Sequence, residues 1–220
     1  MNAREIFAHI DHTLLRPDAT LAEMEKLCGE AERYGAASVC IPPAYVASIR
    51  QRHPQLTICT VIGFPLGYDA QESKIFAARQ ALSDGADELD MVVNLGAVHD
   101  QNWSLVAGEV SAIKQVAGKH LLKVIIETCY LSGAEKRMLC SLLPSTGADF
   151  LKTSTGFGSA GAALADVELF RQLLPPQMRI KAAGGIRTRE QLEAFLLAGC
   201  DRLGCSAGVQ ALFGANGGEG

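Results

Sequence analysis

The amino-acid sequence predicts an α/β protein folded as a single (β/α)8 barrel of the TIM type, and three observations lead there. A glycine followed two residues later by an aspartate recurs at Gly85-Ala86-Asp87, Gly147-Ala148-Asp149 and Gly199-Cys200-Asp201, with Tyr34-Gly35-Ala36-Ala37 as a weaker copy. Each copy follows a helix-like stretch and precedes a short apolar run, where glycine suits the left-handed residue that closes a helix. The junctions lie about 50 to 60 residues apart, room for two strand-helix units between neighbours. Strand-length apolar runs also alternate with helical periodicity along the whole chain.

In order, the predicted strands are 10–14, 38–41, 57–63, 88–93, 122–127, 150–153, 180–183 and 202–204. Among the helices between them, 70–83 gathers Ile75, Ala78 and Leu82 on one face, and 188–198 repeats Leu192, Phe195 and Leu196. Pro42-Pro43 fits a helix start after the second strand. The barrel is assigned to residues 1–213 and the glycine-rich end, 214–220, to a flexible tail. The rival architecture, an open doubly wound sheet, lacks a G-x-G-x-x-G opening its first helix.

Composition narrows the function. The 220 residues are 48% hydrophobic and 20% charged, as in a globular domain with a sizeable core. A net charge of −4 without a basic run argues against a nucleic-acid partner. No window approaches the roughly 18 apolar residues of a membrane helix, and Glu5, His9 and Asp11 interrupt any signal peptide. A soluble, cytoplasmic protein is expected. The seven cysteines contain no C-x-x-C pair and read as packed, reduced thiols rather than a zinc site. Cys40 either lines the pocket or is an inert buried thiol. His9, His12, His53, His99 and His120 are scattered, and His12 reads as a packing residue beside Asp11.

The informative strands are those that break the apolar pattern. Alternation sends Leu89, Met91 and Val93 to the helices and Asp90, Val92 and Asn94 into the barrel. By the same rule Lys123, Ile125 and Glu127 face inward, and Asp11 shares a face with Thr13. Lys152 falls near the C-terminal end of its strand, and Lys181 has only small and apolar neighbours. Burying charge is costly, so these residues form either a structural Lys–Asp network or a reactive site. Lys152, Lys181 and Asp90 together, at the strand ends where sites of this fold lie, point to catalysis. A second ammonium and a desolvated pocket favour the free amine of a lysine. That amine can attack a carbonyl, with Asp90 shuttling protons. The imine then serves as electron sink, so neither metal nor cofactor is expected.

Three glycine-rich loops follow the last three strands: Ser154-Thr155-Gly156-Phe157-Gly158, Gly184-Gly185-Ile186-Arg187 and Gly204-Cys205-Ser206-Ala207-Gly208. With helix N-termini behind them, they read as a phosphate cradle or as plain tight turns. Arg187 either adds charge there or is a solvated helix-start residue.

The chain resembles the deoxyribose-phosphate aldolase family nearly end to end, from Ile10-Asp11-His12-Thr13-Leu14-Leu15 through Val61-Ile62-Gly63-Phe64-Pro65-Leu66-Gly67 and Glu88-Leu89-Asp90-Met91-Val92-Val93-Asn94. The match continues through Leu122-Lys123-Val124-Ile125-Ile126-Glu127-Thr128, and its most specific parts are Asp149-Phe150-Leu151-Lys152-Thr153-Ser154-Thr155-Gly156 and Ile180-Lys181-Ala182-Ala183-Gly184-Gly185-Ile186-Arg187. The resemblance implies reversible cleavage of 2-deoxy-D-ribose 5-phosphate to D-glyceraldehyde 3-phosphate and acetaldehyde, in deoxynucleoside breakdown. It makes Lys152 the Schiff-base lysine, Asp90 the proton donor and acceptor, and Lys181 the second catalytic lysine. It also implies a homodimer or homotetramer. Substrate contacts are expected from Asp11, Thr13, Lys123, Thr155, Gly156, Gly184, Gly185, Gly204 and Ser206. The chain departs from the pattern at Ala207, where relatives often carry a second serine, a loss on the order of 1 kcal/mol. Phe157 supplies no charge to a phosphate, and no tyrosine follows Tyr130. The alternatives are another phosphosugar enzyme, an isomerase or decarboxylase, and a non-catalytic sugar-phosphate sensor.

Overall fold

The computed structural model describes residues 1–214, in which eight parallel strands pair in chain order and β8 closes against β1. The strands are β1 Ile10–Thr13, β2 Ser38–Ile41, β3 Ile58–Ile62, β4 Glu88–Val92, β5 Leu121–Ile125, β6 Phe150–Lys152, β7 Arg179–Ala183 and β8 Arg202–Cys205. The first helices are α1 Ala3–Phe7, α2 Leu21–Tyr34, α3 Val46–Arg52, α4 Gln71–Ser83 and α5 Leu95–His99. The remainder are α6 Trp103–Ala117, α7 Gly133–Leu142, α8 Leu164–Leu173, α9 Arg189–Leu197 and α10 Gly208–Phe213. From residue 215 on, the expected tail lies outside the described residues.

Six of the ten described α-helices begin at a side-chain cap, whereas α3, α4, α8 and α10 do not. Thr20 with Glu23, Ser132 with Glu135 and Thr188 with Gln191 form reciprocal capping boxes that satisfy the first free N–H groups of α2, α7 and α9. Pro43 opens a short 3-10 turn ahead of α3. The main core lies between strands and helices: Leu89, Met91, Leu122, Val124, Leu151, Ile180 and Leu203 all join it. A separate cluster of Cys40, Cys59 and Val61 occupies the barrel interior.

The recurring junction is a latch at the N-terminal rim. Asp87, Asp149 and Asp201 each accept a hydrogen bond from the preceding strand, through Ile58 N, Leu122 N and Ile180 N, at 2.9, 2.8 and 2.9 Å. Each also faces a base on the helix before that strand: Arg50 at 2.5 Å, Lys114 at 2.7 Å and Arg171 at 4.0 Å. The junction glycine is required twice over. Gly85 has φ 103°, and a Cβ there would come within 2.7 Å of Arg50 Cγ. Gly35 ends α2 in a left-handed conformation, but no aspartate follows it, so the weaker copy lacks the latch.

The expected strands 88–93 and 122–127 end early, after Val92 and Ile125. Asn94 therefore does not point into the barrel as a strand residue. It has left β4, and its side chain caps α5 by accepting from Ala97 N at 3.1 Å. Glu127 likewise lies beyond β5, with φ 41° and ψ 69°. The left-handed residue leads into the 3-10 turn 128–130, although Thr128 N still donates to Thr153 O at 2.9 Å. No helix among the described residues is long and apolar enough to cross a membrane.

Candidate active site

Register decides which interior residues share a level. Asp90 pairs across with Lys123, and Lys123 with Phe150. Lys152 stands opposite Ile125 and Lys181, two residues nearer the C-terminal mouth than Lys123. The interior bases therefore occupy different depths, although alternation assigns all of them to one face.

At the centre, Asp90 Oδ2 accepts from Lys152 Nζ and Lys181 Nζ, both at 2.7 Å, while its Oδ1 accepts from Lys123 Nζ at 2.8 Å and from the Cys59 thiol at 3.1 Å. Asp11 accepts from Lys181, Arg202 and Ser38, and Lys123 Nζ lies 3.6 Å from it. Glu88 holds Lys123 at 2.6 Å and Arg202 at 3.2 Å. Asp11, Asp90, Lys123 and Lys181 are fully buried.

The electrostatics follow from burial and sharing. Burial alone would raise the Asp90 carboxyl, but Lys123, Lys152 and Lys181 outweigh it and hold the group well below the usual carboxylate range. Asp11 is likewise held low, burial opposing and Lys181, Lys123 and Arg202 prevailing. Burial would lower Lys181, yet Asp11 and then Asp90 keep it above the ordinary lysine value, a permanent cation. Lys123 is also raised, with Asp90 foremost against its burial.

Above this cluster a cavity of about 270 Å3 opens at the C-terminal end of the barrel, and Lys152 lies in its lining. Leu14, Leu15 and Phe157 form an apolar side, and Gly184, Gly185 and Ser206 a polar one. Thr13, Thr155, Gly156 and Gly204 also line it, as does Arg187 at the rim. Gly184 is the pivot of the polar side, with φ 87° and with Gly156 and Gly161 so close that a Cβ would lie 3.2 and 3.1 Å from their Cα atoms. Of the charged network only Lys152 lines this cavity; Asp11 and Lys123, expected to touch substrate, lie outside the lining, as do Asp90 and Lys181. Their charges are committed to the ion network beneath it. Only α10, six residues long, follows the last glycine loop directly, so little helix stands behind it.

Three further residues shape the site without having stood out in the sequence. Lys74 is buried in α4 and donates to Gly67 O at 2.6 Å and Val92 O at 2.9 Å, while pairing with Glu109 at 2.9 Å. It thereby pins the loop carrying Phe64, which packs edge-on against Phe157 with ring centroids 5.3 Å apart. Its position four residues before Ala78 and seven before Ala81, both buried, was the available signal. Glu88 and Arg202 sit at strand starts, where polar residues are ordinary. His12 does not face Asp11. It points toward α2 and meets Glu30 at 2.8 Å. The thiols of Cys40 and Cys59 and a carboxylate oxygen of Asp90 lie within 4.8 Å of one another, close enough to hold a cation. The three ammonium groups already bonded to Asp90 oppose one there.

Residues 6–199 match the family model described as DeoC/LacD family aldolase. A deoxyribose-phosphate aldolase of Clostridium botulinum (strain Alaska E43 / Type E3) is 49% identical over 215 residues, covering 97% of both chains. That of Thermococcus kodakarensis is 47% identical, covering 98% of this chain and 99% of its own. Among solved structures, the tetrameric deoxyribose phosphate aldolase from Aeropyrum pernix superposes with a TM-score of 0.87 at 33% identity, covering 96% of this chain and 91% of its own. The chain belongs to the DeoC/LacD family of aldolases.

Proposed function

We propose that the protein is a class I deoxyribose-phosphate aldolase in which Lys152 forms the Schiff base, Asp90 moves protons and Lys181 is the second catalytic lysine. The observation that carries this reading is the pair of ammonium groups on one carboxylate oxygen, with Lys152 in the cavity lining. Around Asp11, Glu88 and Asp90 stand Lys123, Lys152, Lys181 and Arg202, so four bases meet three acids and one proton can leave without uncovering a buried negative charge. Lys152 contacts one of those carboxylates, whereas Lys123 contacts three and Lys181 and Arg202 two each.

The steps follow from that arrangement. The free amine of Lys152 adds to C1 of open-chain 2-deoxy-D-ribose 5-phosphate, and the carbinolamine takes up the proton that the lysine had released and loses water to give the protonated imine. Asp90, directly or through water, takes the proton of the C3 hydroxyl. The C2–C3 bond breaks, its electrons pass into the imine as an enamine, and D-glyceraldehyde 3-phosphate leaves. Protonation at C2 and hydrolysis release acetaldehyde and restore the amine. The Lys181 ammonium, fixed by Asp11, stabilises the oxyanions that form on the way. The glycine-rich loops are the proposed phosphate end of the cavity.

Borohydride added with acetaldehyde is expected to inactivate the enzyme by reducing the imine on Lys152. Mass spectrometry of the labelled peptide tests reaction class and residue together. Lys152→Ala should lose at least about a thousandfold in kcat, and near-wild-type cleavage by that variant sinks the proposal. EDTA should leave the rate unchanged.

A further inference from the structure

Glu127 is the other buried carboxylate beside the cavity, and nothing in the aldol steps uses it. It is 2% exposed, yet no lysine, arginine or histidine among the described residues pairs with it. Its backbone holds φ 41° and ψ 69°, a conformation disfavoured for a side chain of this size. Besides the Cys129 thiol, which donates to Glu127 Oε1 at 3.8 Å, its carboxylate contacts one loop. Thr155 N–H donates to Glu127 Oε1 at 3.3 Å, and the Thr155 hydroxyl donates to Glu127 Oε2. The loop also lies directly on the carboxyl: a Cβ at Gly158 would be 3.1 Å from Glu127 Cδ.

A threonine hydroxyl has a single proton, and here Glu127 takes it. One of its lone pairs is occupied by Phe157 N–H at 3.0 Å. Thr155 thus faces the cavity without a hydroxyl proton to give an anion. Among the described lining residues, the N–H groups of Gly156, Gly184, Gly185, Ile186 and Ser206 donate to no other residue, so backbone donors remain at these loops. We propose that Glu127 is a positioning residue for the phosphate end of the substrate: through Thr155 it fixes loop 154–158 so that backbone N–H groups, and not the threonine hydroxyl, receive the phosphate. This rests on the aldolase reading and deepens it. The strained backbone at Glu127 is the local cost of bringing a carboxylate beneath that loop.

Two measurements separate this inference from the reading beneath it. In the first, kcat and KM are determined for wild type, Glu127→Gln and Glu127→Ala with 2-deoxyribose 5-phosphate and with 2-deoxyribose. Glu127→Ala should raise KM for the phosphorylated sugar about tenfold while kcat changes less than about threefold. With 2-deoxyribose, kcat/KM should move less than about threefold. Glu127→Gln, which keeps the shape and an acceptor oxygen, should fall between and guards against a folding defect in the alanine variant. Equal losses on both sugars, or a fall confined to kcat, overturn the inference. In the second, calorimetry measures inorganic phosphate binding without turnover, and Glu127→Gln should weaken it about threefold or more. Wild-type affinity in that variant also overturns the proposal. If wild type does not cleave the sugar phosphate but the variant still loses phosphate affinity, only the aldolase reading falls.

Discussion

Two sets of carboxylates hold bases in this molecule, and their surroundings make them different devices. Asp87, Asp149 and Asp201, at the rim, are partly open to water, and each serves one strand and one base. Asp11, Glu88 and Asp90, inside, are shared among Lys123, Lys152, Lys181 and Arg202. Solvent weakens each rim pair and keeps it independent of the others. Burial strengthens every interior contact and makes the loss of one member felt by all. The rim is modular; the interior is one object.

The comparison breaks if interior and rim substitutions cost the same. Asp11→Asn leaves Lys181 and Arg202 short of a buried counter-charge and should destabilise by about 3–5 kcal/mol in urea titration, with most activity lost. A loss under about 1 kcal/mol would mean that water reaches the cluster and dissolves the distinction.

Acid and base sharpen it next. Asp11 and Asp90 are held below the ordinary carboxyl value of 3.8, so as pH falls past that value the unfolded chain takes up protons that the folded chain refuses. Stability is then lost as the pH falls further. Lys123 and Lys181 are held above the ordinary 10.5, so their contribution is full below that value and fades as pH rises beyond it. Thermal unfolding between these limits should show a plateau. A maximum confined to neutral pH would show that the interior charges do not govern it.

The smallest effect belongs to the rim. Asp149→Asn, which loosens Lys114 and the Leu122 N–H, should cost about 1 kcal/mol and leave kcat within about twofold. The double variant Asp87→Asn with Asp201→Asn should equal the sum of its singles within about 0.5 kcal/mol. A clear departure from additivity would make the rim a coupled system as well.

Much of this architecture was legible in the sequence because barrel closure depends on local signals. The glycine-aspartate junctions and the apolar runs placed all eight strands, each start lying within one residue of the observed one. The convergence of Lys152, Lys181 and Asp90 was visible as polarity inside otherwise apolar strands. Alternation gives the face of a residue but not its depth, which is why it treats Lys123 and Lys152 alike although Lys152 stands two residues nearer the mouth and alone of the two lines the cavity. Lys74 escaped notice because a lysine on a helix normally faces water, and its partner Glu109 comes from a different helix. Glu127 was placed on the wrong structural element because nothing in its neighbours announces a left-handed turn.

The division of charge along the chain has a consequence for assembly. The interior acids come from β1 and β4 and the interior bases from β5 to β8, so every ion pair of the cluster joins the first half of the barrel to the second. A fragment cut after β4 would carry like charges with nothing to neutralise them, and the complementary fragment would suffer the opposite excess. Neither half can therefore neutralise its interior charges by itself. Together they attract, and the closing of the ring is the moment at which both are relieved.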